Sequence, residues 1–541
     1  MSSLQKPTAT SRFRALLTVL AAGAAALALG GPQASAAAAP RPDQRPHIVF
    51  ILVDDLDERT SPYWEAMPET RRLLADRGMT FANAFVADPI CCPSRAALLT
   101  GKYAHNNGVY TNGGEYGGWG AFVNPLDREG NPITDEQGQP LNNEDRTIAR
   151  YLNDEGYRTA LIGKYLNGIE SDPYHIPAGW SEWYGGVSDR LKLYMGYGYT
   201  LHESDDGMPG KLVTYGVRST DYFTDVVARH AKSFIGRAEK RDDDQPFFLV
   251  LAPTAPHLPI PPARRHKELA KQWEGKLPKS PNYIEPDLSD KPYWLQLSGD
   301  NRARRMGWNE VDFVNRMGSL YAVDEMVAGV IAALDRAGEL DNTYLVFSSD
   351  NGYNLGAHRL LHKMAPYEES IRVPMVIAGP GIAPASTAER MALNIDLAPT
   401  FLDMAGLPIP NDMDGRSLLP ILHRRPVTRP WRHDFLIEYK VSGALNGIGN
   451  EIPDALWYLV IATDIPGYQA LRSEGFTYIE WKNDLAQDWR TEYELYDLRK
   501  DPYQLNNLLS TPAGWLANAG RVELMQSRMQ ELTRCAGETC Q

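Results

Sequence analysis

The run HIVFILVDDLD (residues 47–57) decides the fold. Its apolar stretch shows no alternation and stops at carboxylates. A strand with one wet face would alternate polar and apolar, so this pattern reads as a parallel strand buried on both faces. Open α/β sheets collect ligands beyond the carboxyl ends of their strands, where Asp54 and Asp55 fall. The plan recurs outward from there. MPETRRLLADRG (67–78) predicts an amphipathic helix closed by Gly78. TIARYLNDEGYRTALIGKY (147–165) predicts a helix, a turn at Gly156, and a strand ending at Lys164. QPFFLVLAPTAPH (245–257) is a strand that delivers His257, and residues 316–352 are a long helix, a connection and a strand ending in Asp350-Asn351. VPMVIAGPG (373–381) is one more strand. This alternation over about 45–420 predicts an α/β fold, a large mainly parallel sheet flanked by helices on both faces.

At 541 residues the chain exceeds one ordinary core, which implies a large and a small domain. Past the Pro/Arg-rich linker RRPVTRPW (424–431) the composition changes. FLIEYK (435–440), ALWYLVIAT (455–463), FTYIEWK (476–482) and TEYELYDL (491–498) are strand-like, without long helices between them. They predict a small antiparallel sheet packed by a terminal helix at about 519–534. At the other end, Lys6, Arg12 and Arg14 precede the apolar run 15–30 and the small-residue site ASA (34–36), the pattern of a cleaved export signal. The expected organisation is a signal peptide at 1–36, a flexible mature N-terminus at 37–45, a catalytic domain at 46–423 and a C-terminal α+β unit at 432–541. No second hydrophobic segment reads as long enough to cross a bilayer, so the expectation is a secreted protein with no membrane attachment after cleavage. The net charge of −13 argues against nucleic acid as a partner, and requires a local cation cluster for any anionic substrate.

Export bears on the four cysteines. Cys535 and Cys540, in RCAGETCQ (534–541), are expected to close a small loop in an oxidising compartment. Cys91 and Cys92 sit side by side in DPICCPSRAALLTGKY (88–103), at the mouth of a predicted helix and next to Arg95. Three readings compete: a redox pair, a metal site, or a side chain destined for modification. Redox work favours C-x-x-C, which is absent, and zinc would need more Cys or His than the nearby His105.

Asp54, Asp55, Cys91, Lys164, His257, Asp350, Asn351 and Lys363 all fall at or just beyond predicted strand ends or the helix mouth. Asp54, Asp55, Asp350 and Asn351 offer only hard oxygens, which suits Ca²⁺, with Mg²⁺ possible, over zinc. Arg95, Lys164 and Lys363 supply cations for a tetrahedral oxyanion, and His257 an acid or base.

C-x-P-S-R followed by A-x-L-x-T-G, in CCPSRAALLTG (91–101), closely resembles the signature of the type I sulfatases. In that family the first cysteine of the motif is oxidised to formylglycine by a generating enzyme that reads C-x-P-x-R. The register implies Cys91 as the modified residue, since Pro93 stands two positions on, with Cys92 at the variable position. The resemblance implies an alkaline-phosphatase-like fold. It also implies a sulfate ester hydrolase whose aldehyde hydrate attacks sulfur, forms a sulfated enzyme and then expels sulfate. VDDLD (53–57) and SSDNGY (348–353) look like the metal-ligand segments; Asp54, Asp55, Asp350, Asn351 and the Cys91-derived oxygen are the implied ligands. Arg95, Lys164, His257 and Lys363 are the implied substrate-side residues. GKYLNG (163–168), IPAGWSEWYG (176–185) and the two-cysteine tail are most similar to N-acetylglucosamine-6-sulfatases and extracellular 6-O-sulfatases. Many arylsulfatases carry a histidine where Leu166 and Asn167 stand, so no histidine role transfers there. The implied partners are a sulfated sugar or aryl sulfate, and the formylglycine-generating enzyme during maturation. A promiscuous arylsulfatase and a phosphonate or phosphate ester hydrolase of the same superfold are the alternatives.

Overall fold

The computed structural model describes residues 45–541 other than 136, 189, 206–207, 241–244, 297–308, 428, 442–464 and 483–490. The export signal and the ALWYLVIAT segment lie outside the described residues. One ten-stranded sheet organises the chain. Its strands are β1 (His47–Val53), β2 (Met79–Phe81), β3 (Arg158–Gly163), β4 (Glu182–Gly186), β5 (Thr200–Ser204), β6 (Lys211–Thr214), β7 (Phe247–Ala252), β8 (Thr343–Ser349), β9 (Met375–Ala378) and β10 (Ser386–Ala388). The order is β10-β2-β9-β8-β1-β7-β3-β4-β5-β6. The central run from β8 to β4 is parallel, as the alternation predicts. Toward the edges the sheet turns mixed: β9 is antiparallel to β8 and to β2, and β5 and β6 form an antiparallel extension of β4.

Register carries the function. Val53 pairs with Ser349, and Gly163 with Ala252, so four strands end level on one edge. The residues just past that edge include Asp54, Lys164, Asp350 and Asn351. All seven residues of β1 are buried. Ile48, Phe50 and Leu52 enter one apolar cluster, and Val49, Ile51 and Val53 enter the cluster on the opposite face. Fully burying each such side chain contributes roughly 1.5–3 kcal/mol, which anchors the strand that presents the two aspartates.

The flanking helices include α1 (Cys91–Thr100), α2 (Ile148–Asp154), α3 (Arg190–Tyr194), α4 (Phe223–Glu239), α5 (Asn309–Ala337), α6 (Leu397–Met404) and α7 (Pro512–Leu532). The 29-residue α5 is long and apolar enough to cross a membrane, which corrects the expectation that no such segment exists. Its most apolar window is 72% buried, packed against the sheet and α4, so the length serves the core. The helix α7 begins at Pro512 rather than near 519: Thr511 Oγ1 accepts the Gly514 N–H at 3.1 Å, and proline at the first helical position lacks only an N–H that would be unpaired anyway.

The C-terminal sheet is the antiparallel meander β11 (Asp434–Tyr439), β12 (Gly467–Ser473), β13 (Phe476–Lys482) and β14 (Thr491–Asp497), of which β12 was not anticipated. Its inner face shares one cluster with Phe85, Ile90 and Met364, near the mouth of α1, and with Tyr103, past the other end of that helix. The expected Cys535–Cys540 disulfide is present. His105 ties these parts together: Nδ1 lies 2.6 Å from Glu438 Oε2, and Nε2 lies 3.0 Å from the Cys535 carbonyl. Burial would lower the His105 pKa, but Glu438 raises it to about 9 from 6.5. A raised imidazole stabilises the fold fully below pH 6.5 and loses that contribution as pH climbs through about 9. The shift corresponds to at most about 3 kcal/mol. His105→Gln is therefore expected to flatten the fall in urea-unfolding free energy across that window. An unchanged slope in the variant would contradict it.

Candidate active site

Side chains alternate along a strand, so Asp54 and Asp55 should point to opposite faces. They do not, because Asp55 adopts a left-handed conformation, φ 67°. The turn is held by Asp55 N–H donating to Asp350 Oδ1 at 3.1 Å, and by Leu56 N–H donating to Ser349 Oγ at 2.8 Å. Both carboxylates then join one buried centre with Cys91 and His257, in which one ligand atom of each lies within 4.8 Å of the others. Gly163 positions the next group. Its φ is +127°, and a Cβ there would come within 2.1 Å of the Ala252 carbonyl oxygen. Only glycine allows the chain to pass so close to β7 and present Lys164 at the edge.

The thiol sits at the first position of α1, where Cys92 N–H donates to Asn112 Oδ1 at 2.8 Å in place of a cap. Lys363 Nζ donates to Cys91 Sγ at 2.9 Å and also pairs with Asp55. Lys164 Nζ donates to Asp54 Oδ2 at 2.6 Å. Arg95 Nε donates to Asp350 Oδ2 at 2.8 Å, and its Nη1 to the Lys164 carbonyl at 2.9 Å. Arg95 Nη2 is buried with no hydrogen-bond partner. Cys92 faces away into the core, its sulfur accepting the Asn167 N–H at 3.1 Å.

Electrostatics follow from this packing. Burial alone would raise Asp55, but Lys363 and His257 bring it down to about 2. Asp54 is likewise lowered against its burial, by Lys164 and His257. Burial pushes the Cys91 thiol up, only partly offset by the two lysines. It also pushes His257 down, against the pull of Asp55 and Asp54. The unmodified thiol is therefore a poor nucleophile here.

Asn351 supplies a test of whether a cation belongs. Its Nδ2 donates to Asp55 Oδ1 and to the Gly352 carbonyl, while its Oδ1 is buried with no donor. An orphaned amide oxygen beside two ionised carboxylates is a mismatch that a hard divalent ion would resolve. The residues present fit such an ion.

Asp54, Asp55, Cys91, Arg95, Lys164, His257, Asp350, Asn351 and Lys363 lie at this one centre or in its hydrogen-bonded wall. Two were missed. Arg316, in the first third of α5, is fully buried; its guanidinium donates to the Asp55 carbonyl at 2.6 Å and to the Pro256 carbonyl at 3.3 Å, bracing the turns past the ends of β1 and β7. An arginine among the mostly apolar residues 313–323 was the available signal. Tyr194 stacks on His257 with ring centroids 3.9 Å apart and planes 9° apart. The segment that carries Lys363 is also unusual. His358, Arg359, His362 and Met364 all have positive φ, between 51° and 86°. Met364 donates its N–H to the Pro89 carbonyl at 3.0 Å and accepts the Tyr468 hydroxyl at 2.5 Å.

A mixed α/β sheet with hard-oxygen ligands and cations gathered at its parallel strand ends defines the alkaline-phosphatase-like class. Within that class the chain belongs to the sulfatase family, whose model, Sulfatase, matches residues 46–407. It is a sulfatase-family enzyme, and the family hydrolyses sulfate esters. The chain is 36% identical to the extracellular sulfatase SULF-1 homolog of Drosophila melanogaster, over 73% of this chain and 33% of that one. It is 32% identical to the N-acetylglucosamine-6-sulfatase of Homo sapiens, over 92% of this chain and 86% of that one. A solved structure of a protein bound to its substrate D-glucosamine-2-N,6-O-disulfate superposes with a TM-score of 0.66 at 24% identity, covering 91% and 98% of the two chains.

Proposed function

We propose that this enzyme hydrolyses 6-O-sulfate esters, with 6-O-sulfated N-acetylglucosamine at a chain end as substrate, and that it acts outside the cell. The observation that carries the chemistry is the buried Cys91 at the mouth of α1, bound by Lys363 and grouped with the Asp54 and Asp55 carboxylates and His257. The sugar rests on the relatives named as 6-sulfatases that align along nearly the whole chain. The exported location rests on the leader at 1–36, the tail disulfide and the relatives named as extracellular.

Cys91 Sγ stands where the oxygens of a hydrated formylglycine would lie. Once hydrated, that group supplies a hydroxyl that attacks sulfur and displaces the sugar alcohol, and a second hydroxyl whose deprotonation expels sulfate and restores the aldehyde. Asp54, Asp55, Asp350 and Asn351 would hold Ca²⁺, or Mg²⁺, which supplies positive charge opposite the developing oxyanion. The protein's own groups do the rest. Three carboxylates (Asp54, Asp55, Asp350) balance three cations (Arg95, Lys164, Lys363), so an added divalent charge leaves the centre net positive toward an anionic ester. Lys164 and Lys363 would bind sulfate oxygens, and Arg95 Nη2, buried without a hydrogen-bond partner, would donate to a hydrate oxygen. His257 directs Nδ1–H at the Leu258 carbonyl, which leaves Nε2 facing the pocket, where its protonated form would give a proton to the leaving alcohol.

Sulfate release from GlcNAc-6-sulfate, galactose-6-sulfate, GlcNAc-3-sulfate and p-nitrophenyl sulfate, beside p-nitrophenol release from a p-nitrophenyl phosphonate monoester, all at matched concentration, tests the reading. GlcNAc-6-sulfate is expected to exceed the other sugars by about tenfold or more in kcat/KM, the usual return on one well-placed contact set. Preference for the aryl sulfate with no discrimination among sugars would move the assignment to an arylsulfatase. Preference for the phosphonate would remove it altogether.

A further inference from the structure

The aromatic-rich stretch LYMGYGYTL (193–201) looks in sequence like a surface for gripping a sugar ring. The structure gives Tyr194 other neighbours. One face of its ring is covered by the His257 imidazole, 3.9 Å between centroids and nearly parallel at 9°. Lys164 Nζ lies 5.2 Å from the same ring centroid. Two of the residues that face the substrate thus rest on one aromatic side chain. That side chain is firmly mounted. Thr254 Oγ1 donates to the Leu193 carbonyl at 3.3 Å, tying α3 to the run that leads from β7 to His257. Just beyond, Gly196 turns with φ 71° and accepts the Phe223 N–H at 3.0 Å, pinning the end of α3 to the start of α4. Leu193 is buried against Gly186 of β4, where a Cβ would approach within 2.7 Å of the leucine. Exposure points the same way. The His257 side chain is 13% exposed, while those of Lys164, Lys363 and Arg95 are below 10%. His257, under the Tyr194 ring, is thus the most exposed of these four side chains.

We propose that Tyr194 is a positioning residue for the sulfate-transfer step. Its ring holds the His257 imidazole and the Lys164 ammonium in register with the reacting atoms, and it does so with its faces rather than its hydroxyl. An imidazole has few rotational states, and a parallel aromatic wall removes most of those that turn Nε2 away from the pocket. A cation near a ring centroid is attracted to the ring's negative face, which restrains the lysine. The inference rests on the sulfatase reading above, because the roles of His257 and Lys164 do.

Two variants separate positioning from substrate contact. Tyr194→Leu removes the ring, and Tyr194→Phe keeps it. With the preferred sulfate ester, Tyr194→Leu is expected to lower kcat by about 10–100-fold with KM within about 3-fold, the scale of loss from a misplaced catalytic group. Tyr194→Phe is expected to keep at least about a third of the parent kcat. A loss in Tyr194→Phe as deep as in Tyr194→Leu would overturn the proposal, since the hydroxyl would then be the active part. So would a Tyr194→Leu change confined to KM, or no change at all. A second readout does not depend on turnover. In protein carrying ¹³C-labelled histidine, the His257 ring signal is assigned with His257→Gln. It is expected upfield in the parent and in Tyr194→Phe, displaced by the aromatic ring, and to move downfield in Tyr194→Leu. A His257 signal indifferent to Tyr194→Leu would refute the stacking. A parent inactive on every sulfate ester would instead count against the functional reading and leave the ring contact to be judged by this signal.

Discussion

Cys91→Ala should leave a folded protein with turnover reduced on the order of 10⁴-fold or more, the scale seen when a covalent nucleophile is deleted and only binding and charge stabilisation remain. The structure makes the fold's survival expected. Cys91 is the first residue of α1, its sulfur contacts Lys363 and Asp54, and the helix start is secured by Cys92 N–H on Asn112 instead. Cys92→Ala should behave in the opposite way. Its sulfur accepts a backbone N–H from Asn167 and packs in the core, so its removal should cost about 1–2 kcal/mol of stability while sparing most of kcat. Cys91→Ser adds a sharper test. A serine oxygen could take the sulfuryl group but has no second hydroxyl with which to expel it. It should therefore show at most a single turnover and a mass increase of one SO₃ group. Continuous turnover by Cys91→Ala, or activity lost in Cys92→Ala and kept in Cys91→Ala, would refute the assignment of the nucleophile. Peptide mass spectrometry over residues 88–103 would show directly whether Cys91 carries the aldehyde.

Removing the divalent ion should be nearly as damaging. Asp350→Ala is expected to lower kcat by about 10³-fold or more, within the range for loss of a principal electrostatic group, and to strip bound metal. The residue does more than offer an oxygen. It accepts Asp55 N–H, which holds the left-handed turn, and it pairs with Arg95 Nε. Its loss frees both. Dialysis against EGTA should abolish activity of the parent, and added Ca²⁺ should restore it. Because hard oxygens set the preference, Mg²⁺ should restore less, given its demand for a tighter octahedral shell. Elemental analysis should find about one calcium per chain and no stoichiometric zinc. Full activity after exhaustive chelation would rule the ion out.

Much of this centre was readable before any coordinates. The apolar run of β1 and its terminal carboxylates are local signals, and so are the Gly163-Lys164 pair after β3 and the Asp350-Asn351 pair after β8. Each follows from period and punctuation within about ten residues. What could not be read depends on contacts across the chain. The turn that rotates Asp55 beside Asp54 is held by Asp350 and Ser349, nearly three hundred positions on. Arg316 acts through two backbone carbonyls supplied by other segments. The packing of Tyr194 against His257 was hidden because sequence cannot say which face of a ring is already taken. The sheet's mixed edges were hidden for a related reason. Strands as short as β2 and β10, three residues each, carry too little pattern to announce their direction. In the C-terminal unit, β12 has a glycine, a glutamine and an arginine within seven residues, which masks its alternation.

The segment from His358 to Met364 has a practical consequence for anyone adapting this enzyme. Its four left-handed non-glycine residues each cost roughly 1–3 kcal/mol of conformational free energy, and surrounding contacts must hold them there. Screens for heat resistance tend to find such positions, since glycine relieves the conformation directly. At 364 that relief would remove the side chain that packs in the cluster shared with the C-terminal sheet, and would loosen the backbone next to Lys363. Variants harvested for endurance would thus drift toward a tougher fold with a wandering lysine. A library built for industrial hardiness should keep residues 358–364 wild type and look for its gains on the exposed face of α4.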